Sequence, residues 1–183
     1  MRMIRMIARS VVLLAMFYAT QASAFFYVDD TTGSATYNRT LEDMSALSAV
    51  GTAVSYDTFA FSVDTAGTYT FRSVALPLLD RWDNMLFLYQ GSFDPNNAVL
   101  NGVVGNDDFN GNIGFSGFDV TLSTGVAYVL VTTGFANDDL GRYLNVIRGP
   151  GDVTAPVPEP ESYAMLLSGL AVLGFLARRR RQR

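Results

Sequence analysis

The chain has 183 residues, 49% of them hydrophobic, and contains no histidine, cysteine or lysine. Imidazole bases, thiolate nucleophiles, lysine Schiff bases, disulfides, and zinc or haem sites built on these ligands are therefore excluded. The overall charge of −4 hides an asymmetry: three arginines lie in the first nine residues and five in the last six. From Asp29 to Asp152, Arg39, Arg72, Arg81, Arg142 and Arg148 face fifteen acidic side chains, fourteen of them aspartate, so the body carries a charge near −10. Such a surface repels nucleic acid and anionic lipid, and neither is expected as its partner.

At the N-terminus, Arg2, Arg5 and Arg9 precede the apolar run Val11 to Ala19, and Ala22-Ser23-Ala24 follows. A positive flank, a short apolar block and small residues at the minus three and minus one positions are the layout of a secretory signal peptide. Residues 1–24 are expected to engage the secretion machinery and to be cut off after Ala24, with Ala22 and Ala24 as the cleavage determinants. An uncleaved anchor is the alternative, and the run is short for a membrane span. Removing it leaves a body of one-domain length that, lacking cysteine, must take its stability from core burial or bound ions.

Along the body, LEDMSALSAV is the one helix-like stretch. Elsewhere apolar and polar residues alternate in short runs punctuated by Gly, Asn and Asp, the period of half-buried strands. YDTFAFSV puts Phe59, Phe61 and Val63 on one face, and TYTFRSV returns with Tyr69 and Phe71 after DTAG, which predicts a hairpin. MLFLYQ, AVLNGVV, FSGFDVTL, VAYVLVTT and GRYLNVIR predict five more strands, with STG between Leu122 and Val126 as another tight connection. Crossover helices are missing, so the fold class expected over residues 25–150 is all-β, an antiparallel β-sandwich or jelly roll.

Residues 151–162 read as a proline-rich linker, because Pro156, Pro158 and Pro160 forbid helix and central strand. The uncharged stretch 163–177 predicts a single transmembrane helix of about 22 Å, short against a hydrocarbon core of roughly 30 Å. Arg178, Arg179, Arg180 and Arg181 would stop transfer and stay in the cytoplasm, leaving the body outside.

Chemistry could concentrate at GNDDFNGN, where Asn106, Asp107, Asp108, Asn110 and Asn112 crowd hard oxygen donors into seven residues. That composition suits calcium, with Asp80 or Asp83 supplying a further carboxylate from the start of the preceding strand. A solvated turn of ordinary loop formers is the bland alternative. Asn137, Asp138 and Asp139 repeat the triplet and raise a second ion site against a plain loop. Trp82 invites a sugar-stacking reading, against simple packing. Paired carboxylates could run glycoside hydrolysis, but aspartates on polar turns offer nothing apolar to raise a pKa, so no catalytic residue and no enzymatic activity is expected.

The order Val157-Pro158-Glu159-Pro160, short apolar segment and terminal arginines resembles the PEP-CTERM sorting signal, also described as the ice-binding protein C-terminal domain, over about the last 27 residues. The resemblance implies an exosortase-type membrane enzyme that recognises the Pro-Glu-Pro core in bacteria making an exopolysaccharide matrix; a never-cleaved single-pass anchor is the alternative. Residues 56–149, through FAFSVDTAGTYTF, DNMLFLYQGSFDPNNAVLNGVVGNDDFNGN, FDVTLSTGVAYVLVTTGF and GRYLNVIRGPG, resemble the bacterial pre-peptidase C-terminal jelly-roll domain. The expected function is an exported, non-enzymatic surface or matrix protein, structural or adhesive in an exopolysaccharide or biofilm setting, with calcium as the candidate ion. The alternative is a module binding the cell's own polysaccharide through Trp82.

Overall fold

The computed structural model describes residues 22–77 and 82–155, together with Leu170. The signal-like segment up to Gln21, Asp80 and Arg81, the Val157 to Pro160 motif and Arg178 to Arg181 lie outside the described residues. So does the expected membrane segment 163–177, Leu170 apart. Among the described residues no helix is long and apolar enough to cross a membrane.

Among the described residues ten strands form: β1 (Ser23–Asp30), β2 (Thr36–Tyr37), β3 (Val54–Val63), β4 (Gly67–Ala75), β5 (Asn84–Gln90), β6 (Gly102–Asn106), β7 (Phe115–Leu122), β8 (Tyr128–Gly134), β9 (Arg142–Gly149) and β10 (Val153–Thr154). One sheet has the order β1-β9-β4-β7, the other β10-β3-β8-β5-β6 with β2 on β3. Every pairing between these strands is antiparallel. The body is thus all-β, and its strand order is consistent with a jelly roll.

The hairpin expected across DTAG is corrected. β3 pairs with β8, whereas β4 pairs with β7 and β9 in the other sheet. Phe61 and Phe71 meet across the sandwich with ring centroids 5.9 Å apart instead of sitting side by side. Alternation requires that one face of each strand be buried, and a facing sheet satisfies that as well as an adjacent strand does. The STG connection likewise carries the chain from β7 in one sheet to β8 in the other.

The inter-sheet core gathers Phe61, Val63, Tyr69, Phe71, Leu86, Leu88, Phe118, Leu122, Tyr128, Leu130 and Ile147. A second cluster of Tyr37, Met44, Val54, Met85, Phe87, Tyr89, Ala98 and Val131 lies on the outer face of the β5 sheet. β5 is therefore buried on both faces, which accounts for the unbroken apolar run MLFLY. The helix-like stretch LEDMSALSAV forms turns and bends that help close this cluster through Met44, with a single bridge between Thr40 and Leu47. AVLNGVV yields a strand only from Gly102 onward, the preceding residues being turn. At the C-terminal side, Val153 and Thr154 pair with Val63 and Ser62, so the sheet extends into the segment read as linker.

Candidate cation site

β5 and β6 pair so that Phe87 faces Gly105 and Leu86 faces Asn106. The same register, carried one and two residues further, sets Asp107 and Asp108 opposite the start of β5, just after Asp83. On the other flank of β5, Asn84 faces Gly134, and the Phe135 N–H donates to the Asp83 carbonyl at 2.9 Å. The start of β5 is thereby clasped between the 107–112 and 134–141 loops at one end of the sandwich.

One carboxylate oxygen from each of Asp83, Asp107 and Asp108 lies within 4.8 Å of the other two, and among the described residues this is the one acidic cluster of three. Their Oδ1 atoms are buried and have no protein hydrogen-bond partner. Burial, together with repulsion from Asp108 and Asp139, pushes Asp83 up to about 6 against a partial offset from Arg39. Burial, then repulsion from Asp83 and Asp108, pushes Asp107 up to about 7. This corrects the expectation that nothing near these turns would raise a carboxylate pKa: the loops fold back over one another and desolvate the groups.

The surroundings hold the acids in place. Asp139 accepts the Asp83 N–H at 3.3 Å and the Ala136 N–H at 2.9 Å. Arg39, 3% exposed, spends its guanidinium on the carbonyls of Phe135 and Thr40 and stacks 4.8 Å from the Phe135 ring centroid. It supplies positive potential to Asp107, Asp83 and Asp139 without bonding to any of the three clustered carboxylates. On the other flank, Phe109 sits 3.9 Å under the Arg72 guanidinium, which pairs with Asp119 at 3.1 Å, so the 107–112 loop is pinned to the β4-β7 sheet.

Of the six donors expected from sequence, Asp83, Asp107 and Asp108 come together. Asn106 is occupied by protein: its amide nitrogen donates to Glu42 at 2.8 Å and its oxygen accepts the Gly117 N–H at 2.8 Å, tying β6 to β7. Asn110 takes a positive φ of 57° in the turn, and the Asn112 amide nitrogen donates to the Phe109 and Asn110 carbonyls. In the second triplet, Asn137 caps the 52–53 segment and Asp138 is exposed, and only Asp139 reaches the first cluster, where it braces Asp83. Trp82 donates its indole N–H to the Arg142 carbonyl at 2.9 Å and lies over Gly141, whose φ of 151° and missing side chain leave room for the ring. Arg39 and Asp139 escaped the sequence reading as parts of this site; the repeated Asn-Asp-Asp triplet was the one available signal for Asp139.

Chemically, the cluster offers hard oxygens and no nitrogen or sulfur. Ligand oxygens at about 2.3 to 2.6 Å from a calcium ion stand no more than about 4.6 to 5.2 Å apart, so three oxygens within 4.8 Å of one another can share one ion. Asp83, Asp107 and Asp108 would hold the ion, and carbonyls or water would complete its shell.

The fold and this site define an all-β domain with an acidic corner. A family described as the PEP-CTERM protein-sorting motif matches residues 156–181. The chain thus carries, just beyond β10, a sorting segment of the kind processed by an exosortase, which implies export and membrane-associated sorting. No curated protein matches the chain.

Proposed function

We propose that this protein is a non-enzymatic component of the cell surface or extracellular matrix, structural or adhesive in an exopolysaccharide or biofilm setting, whose acidic corner binds calcium. The sorting motif at 156–181 supports the destination. The convergence of Asp83, Asp107 and Asp108, with their buried and unpartnered oxygens, carries the activity. Left alone, two ionised carboxylates at such spacing repel by about 3 to 4 kcal/mol at an effective dielectric near 20. A divalent cation turns that repulsion into a cross-link between the start of β5 and the β6-β7 loop, in a domain with no disulfide to do the same.

Titration of the chain with calcium, followed by calorimetry and thermal unfolding, tests the reading. The expected dissociation constant is about 10⁻⁴ to 10⁻³ M, the range of extracellular calcium modules. Saturation at about a hundredfold that concentration should add roughly 3 kcal/mol, or about 10 °C in Tm. Absence of heat and of any Tm shift at 20-fold above about 10⁻³ M would remove the calcium role and leave the sorting reading standing.

A further inference from the structure

The two ends of the described chain leave the sandwich at the same place. Ser23 opens β1 opposite Gly149, the last residue of β9, and its hydroxyl donates to Asp152 Oδ1 at 2.6 Å. Val153 and Thr154 then pair with Val63 and Ser62 at the end of β3, and the Asp152 N–H donates to Asp64 at 2.8 Å. Ala22, Ser23 and Ala24 share one polar groove with Asp64, Thr65, Pro150, Gly151 and Asp152. Because every strand pair is antiparallel, the direction of each strand assigns its ends. β3, β7 and β9 finish at this end, where β1 and β4 begin; β5 begins at the other, after the chain has climbed β4 from Gly67 to Ala75. Asp83, Asp107 and Asp108 therefore sit a full strand away, about 27 Å for nine residues.

In sequence, both hydrophobic segments are joined to the described residues at that shared end. The N-terminal apolar run stops at Ala19, three residues before Ala22, and the uncharged stretch 163–177 starts eight residues after Ala155. Eight residues of any chain can reach at most about 26 to 29 Å, and three at most about 11 Å. Whatever enters the bilayer thus pulls on the end bearing Ser23 and Thr154.

We propose that the tethered precursor rests on its membrane by this end, with the acidic corner of Asp83, Asp107 and Asp108 facing away into the external phase. The inference rests on the reading of the tail as a membrane tether; it does not depend on calcium being bound. It places tail processing and the acidic corner at opposite ends of one rigid sandwich. The corner is open to ions and matrix polymer before the tail is cut, and cutting leaves it undisturbed. The bilayer also meets the end with few carboxylates (Asp64, Asp94 and Asp152) instead of the crowded one, which lowers repulsion from anionic lipid.

The absence of cysteine allows single labels without background. The full chain carrying Ala66→Cys in the exposed β3-β4 turn, or Asp138→Cys in the exposed loop at the acidic end, is labelled with a donor fluorophore and reconstituted into liposomes containing an acceptor lipid. Thr124→Cys and Thr32→Cys form a second pair on the same two ends, should either of the first fail to fold. Transfer efficiency about twofold or more higher from 66 and 124 than from 138 and 32 is expected from the strand-length separation. Equal transfer, or stronger transfer from the acidic end, in protein that floats with the liposomes overturns the orientation alone. Protein that folds but does not float with them overturns the tether reading, and the orientation with it.

Discussion

Because Asp83 and Asp107 hold their protons to about pH 6 and 7, against about 3.8 for an ordinary aspartate, proton linkage sets the behaviour of the acidic corner. Between about pH 4 and 7 the folded state binds more protons at these positions than the unfolded chain does. The stability they contribute is therefore fully present below about pH 4 and is lost as pH rises through 6 to 7 in metal-free protein. Urea midpoints measured from pH 4.5 to 8 should fall more steeply for the native chain than for Asp83→Asn or Asp107→Asn, which lack the titrating group. On the proposed calcium reading the ion competes with those protons, so calorimetric affinity should strengthen as pH rises from 5.5 to 7.5. Asp107→Asn should also lose most of the calcium-induced Tm shift while unfolding no earlier than the native chain at pH 8 without metal. At this scale the sequence revealed the donors by crowding: Asp107 and Asp108 stood out in GNDDFNGN, and Asp83 by its place before a strand. It did not reveal that Asn106 would be spent on Glu42 and Gly117, because which partner an amide takes depends on strands adjacent only after folding.

The loops that bring the acids together depend on close backbone approaches. A Cβ at Gly134 would run into the Asp139 backbone carbonyl, within the loop whose carboxylate braces Asp83. Gly134→Ala should weaken calcium binding several-fold without touching a ligand, as read by calorimetry on protein with a native circular dichroism spectrum. In the core, Leu88→Ala removes a fully buried side chain from the inter-sheet cluster and should cost about 2 to 5 kcal/mol in urea unfolding. The first strand has a different consequence. The Ala24–Phe25 bond expected to be cut lies inside β1, where Ala24 faces Arg148, Phe25 faces Ile147 and Phe25 stacks 5.1 Å from Phe59. Signal peptidase should cleave a peptide of residues 15–32 readily and the folded precursor at least about tenfold more slowly, since the segment must first leave β9. Strand positions were largely legible because a period of two survives in any half-buried strand. Partners were not: β3 and β4, joined by a short turn, part into different sheets, and the alternation is the same either way.

For the whole molecule, the intact mass of protein from cells and from medium reads both ends together. A species beginning at Phe25 and ending between Val157 and Pro160 is the expected mature form, and one retaining Arg183 in the membrane fraction would contradict processing of the tail. The sequence by itself determined that the chain carries a sorting motif, which implies export, and the broad class of its body. A signal-like start, the Val157 to Pro160 motif, the apolar stretch and the terminal arginines are local, contiguous features whose meaning does not depend on folding, and composition alone removed histidine, cysteine and lysine chemistry. Two-residue periodicity made the body all-β for the same reason, since it reports burial of one face strand by strand. Only the tertiary structure decided which strands pair, that three aspartates from two distant segments converge, with Asp83 and Asp107 raised in pKa, and that Ser23 and Thr154 lie together at the opposite end of the sandwich. Each of these is a relation between residues far apart in the chain, set by antiparallel register and by desolvation where loops cover one another, and neither exists until the two sheets close.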